Sequence, residues 1–473
     1  SEDDPYVKIA NAFDFTDLVD QQPANASYPD KFALSWEDGV TPGSSDEFTN
    51  ITGTLTYDAG PLRATVGVVN NSNTNNHGGG IMSQLRWRGA TVYTADDTGA
   101  YTNSFTVPER YSFSESASNM ITAEITFALG ANTVLRANGN MYSQSSETHD
   151  SWFGTEWQKW HDSTEVQSYL GFADGSDTTE GAAAGWSPFK TAFSQKSSYM
   201  VNGMSFSRPG TRPAGYSKSA YDKVGFSASI QHVMGNHDIK AGVDYNQHTM
   251  RTYSANPSVM KYALASETAL SKYGHAGYGS FEDIPAWELR YYIDGYGYDF
   301  SGNTAEDRTF YTEAVPGITN LDTTYLDGAK TPTDMGFYVQ DKMEFDDIIV
   351  NVGVRVDQLD PSETAPASAN ELYFYNVSKY VDPTSWKEVE TYTEIQPRLG
   401  VSFPFTDRTN VYGYYGRFSQ LVDLNSMYYT AMDYRQQMNT GGYFYISPVG
   451  FGLEPVRTTQ YEIGLKQQIS DNA

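Results

Sequence analysis

The stretch DMGFYVQDKMEFDDIIVNVGVRVD, residues 334–357, decides the fold. Its first half sets Met335, Phe337, Val339, Met343 and Phe345 on one face and Gly336, Tyr338, Gln340, Lys342 and Glu344 on the other, the two-residue period of a β-strand. After the turn-compatible pair Asp346-Asp347, Ile348, Val350, Val352, Val354 and Val356 alternate with Asn351, Gly353, Arg355 and Asp357. The spacing predicts a hairpin with one apolar and one polar face. Each arm has about the 9–11 residues that a tilted strand needs to cross a bilayer. A soluble sandwich would bury the apolar face on a second sheet, whereas a membrane barrel would turn it to lipid and the polar face to a wet lumen.

The same unit recurs along the chain. Ile51, Gly53, Leu55 and Tyr57 are followed by a turn and then by Leu62, Ala64, Val66 and Val68. Ile121, Ala123, Ile125 and Phe127 are followed by Leu135, Ala137, Gly139 and Met141, and Val224, Phe226, Ala228 and Ile230 by Ile239, Ala241, Val243 and Tyr245. Ile395, Pro397, Leu399, Val401 and Phe403 lead through a turn into residues 410–418, where Tyr412, Tyr414 and Tyr415 leave the facing ambiguous. Tyr461, Ile463, Leu465 and Ile469 form a last apolar stripe, and residues 6–15 read as a first strand. About twelve strands are countable. Turns of a few residues alternate strictly with long segments, 70–119, 143–221 and the stretch up to Thr333, that read as loops. Structureless loops longer than roughly 12–15 residues are uncommon in soluble domains, whereas outer-membrane barrels combine short periplasmic turns with long external loops.

Composition agrees with this reading. The 473 residues are 39% hydrophobic yet 14% aromatic, with 36 Tyr and 24 Phe, a bias suited to interfaces and pores. No run approaches the roughly 18 apolar residues of a spanning helix, which excludes a helical membrane protein and leaves the barrel open. The net charge of −27 argues against a nucleic-acid partner, since phosphate binding needs basic patches. There is no Cys, hence no disulfide or thiolate site. Residues 1–4, SEDD, lack the basic and apolar parts of a signal peptide, so export is expected of a mature, cleaved or truncated sequence.

Three segments, GFYVQDKMEFDDIIVNVGVRVD (336–357), IQPRLGVSFPFTDRTNVYGYYGRFSQ (395–420) and GLEPVRTTQYEIGLKQQISDN (452–472), resemble in order and spacing the strands of TonB-dependent outer-membrane transporters. The flavour is that of the subgroup with an N-terminal carboxypeptidase-regulatory-like domain. The resemblance implies an all-β transmembrane antiparallel barrel of about 22 strands filled by an N-terminal plug. Residues 1–473 would be a partial outer-membrane β-barrel, and the native polypeptide is expected to extend beyond both ends. The resemblance further implies bacterial outer-membrane lipid as surroundings, a TonB complex engaged through an N-terminal region, and TonB-dependent uptake of a scarce small-molecule, glycan or peptide nutrient. The alternative is a non-transporting surface barrel whose large loops serve adhesion or assembly with protein partners.

Motifs for serine nucleophiles, zinc helices, Walker loops and dinucleotide binding are absent, and the seven His are scattered, so no catalytic residue and no resident cofactor is assigned. Asp294, Asp299 and Asn303 in DGYGYDFSGN give spaced oxygens with interleaved Gly, compatible with Ca²⁺ or with a plain Tyr/Gly-rich external loop. Trp152, Trp157 and Trp160 in SWFGTEWQKWHD suit packing within a folded loop, a headgroup belt or stacking on a ligand. Glu124, Arg136, Lys240, Asp244, Arg355, Arg398 and Glu462 fall on the polar face and are expected in the lumen.

Overall fold

The computed structural model describes residues 6–9, 13–14, 34–37, 46–75, 91–95, 101–106, 112–150, 153–161, 198–201, 204–207, 215–256, 281–367, 373–376, 378–428, 430 and 453–469. Eleven long strands form one antiparallel meander: β1 (Asp46–Ala59), β2 (Leu62–Asn75), β3 (Ser112–Ala128), β4 (Thr133–Asp150), β5 (Tyr216–Met234), β6 (His237–Ala255), β7 (Thr333–Phe345), β8 (Ile348–Asp360), β9 (Tyr392–Thr406), β10 (Thr409–Gln420) and β11 (Val456–Gln467). Each pairs with its neighbours in sequence. The hairpin that opens the sequence reading is β7–β8, with Phe337 opposite Val356 and Tyr338 opposite Arg355, so the apolar and polar faces stay in register.

The turns follow from local chemistry. Gly235, between β5 and β6, has φ of 59°, which a residue without Cβ adopts freely. Asp346 takes φ of 45° in the β7–β8 turn, a conformation that Asp tolerates better than most side chains.

Across the sheet the outward face is continuous. Ile125, Ala137, Ala228, Val243, Phe337, Val356 and Ile395 lie in register on seven successive strands. Ile125 and Phe226 are each 50% exposed, so no second sheet covers this face and the sandwich is excluded. Register also settles the tyrosines of β10. Tyr412 and Tyr414 point to the polar face, where the Tyr412 hydroxyl donates to Glu462 (2.9 Å), while Tyr415 sits outward beside Tyr461.

Two expectations are corrected. The described part of the expected first strand, residues 6–9 and 13–14, does not join the main sheet: Tyr6–Ile9 pairs with Leu34–Glu37, and Phe13–Asp14 runs parallel to Thr91–Ala95. The strands also reach well into stretches expected as loops, β4 to Asp150 and β5 from Tyr216. Beyond the apolar band both faces meet water, so the ladder continues without alternation, tied by polar pairs such as Asn71 Nδ2 to Ser118 Oγ (3.2 Å) and Ser114 to Thr148 (3.2 Å). Residues 281–332, between β6 and β7, are likewise built rather than irregular. They form a short helix Ala286–Leu289, a strand Ile293–Tyr296 paired with the end of β6, and a hairpin of Thr309–Ala314 with Leu321–Leu326.

Protein-buried hydrophobic clusters gather at the long-loop end. One holds Trp157, Tyr216, Tyr253, Phe281, Ile293 and Leu326; another holds Met250, Tyr296, Leu359, Met427 and Tyr428. Tyr216 and Tyr253 belong to the outward faces of β5 and β6, whereas Met250 and Leu359 belong to the lumen faces of β6 and β8. The loops therefore grip the rim of the sheet from both sides.

Single cysteines in this Cys-free chain read the two faces directly. At Ile125, Leu135, Val243, Val352 and Leu465 a water-soluble maleimide should react poorly in membranes, and at Glu124, Arg136, Asp244, Arg355 and Lys466 readily. Equal labelling of both sets would refute the facing, and Val243→Arg should lower stability by roughly 2–4 kcal/mol.

Candidate functional site

The polar face of the sheet is a wall of linked charges. Asp244, Gly336, Asp357 and Glu394 share one register row across β6 to β9. Three carboxylates on one row would repel, and cations relieve it. Arg355 forms a bidentate pair with Asp244 (3.0 and 3.1 Å) and reaches Asp357 with Nε (2.6 Å). Gly336 makes this bridge fit, since a Cβ there would collide with the Arg355 guanidinium. Arg457 serves Glu394 (2.8 Å) and Glu454 (2.7 Å) in the same manner. Gln396 donates to Asp357 and accepts from the Ser419 amide (3.1 Å).

One step toward the loops, His248 bridges two partners: its Nδ1 lies 2.8 Å from the Tyr221 hydroxyl and its Nε2 2.8 Å from Asp334, which also accepts from Asn246 (2.9 Å). Lys240 lies 5.8 Å from the Tyr338 ring and Arg398 4.9 Å from that of Phe418. Glu124 and Arg136 are exposed on the same face. All seven residues expected in the lumen thus share one surface, able to hold water and to meet polar solutes.

Over the rim of this wall lies an ionic cluster that no motif in the sequence announces. Asp327 accepts from Arg308 Nε (2.7 Å) and lies 3.6 Å from Lys330 Nζ, which reaches Glu363 at 2.5 Å. Aromatic rings enclose it: Arg308 stands 5.0 Å from both Tyr325 and Trp386, and Lys330 5.7 Å from Tyr296 and 5.8 Å from Tyr428. Burial pushes the Asp327 carboxyl up, but Lys330 and Arg308 outweigh it and hold it below the usual carboxylate range. For Glu363 burial dominates, Asp327 adds to it, and the pKa stays raised despite Lys330. The cluster joins the segment before β7, the segment between β8 and β9, and the segment after β10. Asp327 and Lys330 stand only three residues apart, but nothing in their spacing points to Glu363, Trp386 or Tyr428, which come from other segments.

Trp157 is 3% exposed, stacks on Tyr216 at 5.8 Å and meets Phe281 edge-on at 5.2 Å, so protein encloses its ring. Trp152 lies outside the described residues, as does the side chain of Trp160. Asp299 accepts from the Asn303 amide (2.8 Å) and from its side chain (3.0 Å), and Asp294 accepts from the Gly295 amide (2.9 Å). The Lys218 ammonium donates to the Gly302 carbonyl of this loop (2.7 Å) and lies 4.6 Å from the Tyr298 ring. Among the described residues no three His, Asp or Glu converge as a metal site.

A family model described as TonB dependent receptor-like, beta-barrel matches residues 165–473, well over half of the chain. The chain belongs to this TonB-dependent receptor family. Its barrel accordingly sits in the bacterial outer membrane, short turns toward the periplasm and long loops outside. No curated protein matches the chain. Among solved structures it is similar to the ferric citrate transporter FecA in the unliganded form, at 10% identity over 92% of this chain and 43% of that one, with a TM-score of 0.40. It is similar also to the siderophore receptor PiuA from Acinetobacter baumannii, at 12% identity over 93% of this chain and 50% of that one, with a TM-score of 0.40. The ferric-catecholate import receptor Fiu from K12 E. coli gives 12% identity over 93% and 51% of the two chains, again with a TM-score of 0.40. The chain spans about half the length of these proteins.

Replacing Asp327 by Asn should leave Arg308 and Lys330 under-compensated and lower the local stability of the loop layer by about 3–5 kcal/mol. In the parent, the Asp327 contribution is full above its unfolded pKa of about 4 and is lost as pH falls through its lower folded value. Glu363 has the opposite sign, its contribution declining as pH rises through its raised folded value. Hydrogen exchange at the Gly297 and Lys330 amides, corrected for intrinsic rates, measures both. Unchanged protection in Asp327→Asn would refute the role.

Proposed function

We propose that this barrel is the translocation part of an outer-membrane receptor that takes up a scarce nutrient with energy supplied through a TonB complex. The observation that carries this reading is the lumen wall, set in a chain of the TonB-dependent receptor family. A sheet that needed only to sit in lipid would gain nothing from Asp244, Arg355, Asp357, Glu394 and Arg457 on its inner face, where each charge must be solvated or paired. A wet passage makes the arrangement economical, because exposed Glu124 and Arg136 keep their hydration while the paired groups hold the wall in shape. The loop layer supports the same reading. A platform tied by Lys330 and rings, rather than a set of independent loops, offers a fixed surface for capturing solute from outside. The substrate class stays open among small molecules, glycans and peptides.

Uptake that depends on an energised inner membrane separates this from an open pore or a display barrel. Accumulation of the cognate nutrient should be abolished by deleting TonB and by collapsing the proton gradient. Undiminished uptake under either condition would make the protein a passive pore; no uptake of any solute would favour adhesion or assembly.

A further inference from the structure

The outward face of β7 carries one exception to its apolar alternation. Met335, Phe337, Val339, Met343 and Phe345 point outward, and so by the same period does Asp341, in register with Ile239 on β6 and Val352 on β8. Its Oδ2 accepts from His237 Nδ1 at 2.7 Å, and the His237 ring stands edge-on to Phe345, with centroids 6.0 Å apart. Asp341 Oδ1 is buried and has no hydrogen-bond partner among the described residues. A second imidazole lies on the same row: His232, in register with Ile239, contacts Thr133 at 2.8 Å. Asp341 is five residues from the turn at Asp346. At the usual strand rise and tilt that is about 12 Å along the membrane normal, which places it in the periplasmic half of the apolar band. A carboxylate oxygen without a donor is unfavourable there, and no described protein group supplies one.

Immediately toward the membrane centre the same face sinks into a groove of about 940 Å³. Its lining includes the small side chains of Ala137, Ala228 and Ala241 between the larger Phe127, Phe337 and Val354. Ala241 is in register with Val339, two residues beyond Asp341, so the groove opens beside the acid–histidine pair.

We propose that this is a specific site for a phospholipid of the inner leaflet whose head ends in a primary ammonium. An acyl chain fills the alanine-floored groove, and the ammonium donates to Asp341 Oδ1 while His237 holds the other carboxylate oxygen. An anionic headgroup is repelled by the carboxylate. A quaternary head lacks the N–H that Oδ1 requires.

Native mass spectrometry of the protein purified from outer membranes, delipidated and offered equal phosphatidylethanolamine, phosphatidylglycerol and phosphatidylcholine, tests this. One retained phosphatidylethanolamine is expected, favoured on the order of tenfold over either competitor, as a charge-assisted hydrogen bond supplies. Asp341→Asn should bring the three lipids level, and Ala241→Leu should reduce retention of all of them; folding of each variant is checked by heat-modifiable gel mobility. The comparison with phosphatidylcholine needs no variant, so it decides even where a substitution fails to fold. Equal retention of the three lipids by the parent protein would overturn the proposal. So would a preference for phosphatidylglycerol, or a lipid-free dimer that covers the face with a second copy.

Discussion

Hydrocarbon offers no partner to a backbone N–H or C=O, and everything in this molecule is subordinate to that. Each strand from β2 to β10 is hydrogen-bonded on both sides by its sequence neighbours. Once the ladder is fixed, register dictates which residue meets lipid and which meets water, because a slip by one residue would exchange the faces. The inward charges are a consequence of this geometry. They stand where the pleat puts them, and rows of acids such as Asp244, Asp357 and Glu394 are then stitched by Arg355 and Arg457 reaching along the wall.

What could be read in advance follows from the same physics. Residues 334–357 announce a hairpin because half of each strand faces an apolar solvent and half does not, which imprints a period of two. Where that contrast ends the signal ends as well: Ser143–Asp150 of β4 and Tyr216–Lys223 of β5 are strand, but polar residues on both faces conceal it. Tyr412, Tyr414 and Tyr415 are ambiguous by type, since tyrosine suits either face, and only pairing with β11 resolves them. Asp341 is hidden by the regularity of its neighbours. The Arg308–Asp327–Lys330–Glu363 cluster is illegible for a different reason: Arg308, Asp327 and Lys330 share a segment with no repeating pattern, and only the folded rim brings Glu363 to Lys330.

The position of the buried clusters separates two kinds of stability. Within the bilayer the sheet has no core of its own on the outward face and relies on lipid for it. At the external rim the protein supplies its own, with Trp157, Tyr216 and Tyr253 on one side of the wall and Met250, Leu359 and Tyr428 on the other. The rim can therefore hold its shape where lipid no longer supports it, and it carries the loops that meet the outside.

Lys330 has a consequence for how such a receptor can change its specificity. Its ammonium is shared by Asp327, Glu363, Tyr296 and Tyr428, so the segments before β7, after β8 and after β10 are fastened at a single point. A loop exchanged alone from a related barrel would arrive without its share of that fastening and leave a buried ion uncompensated. Variation in what the outer surface recognises must then come either at exposed positions beyond the knot, such as Leu321 and Tyr373, or by replacement of the three segments as a set.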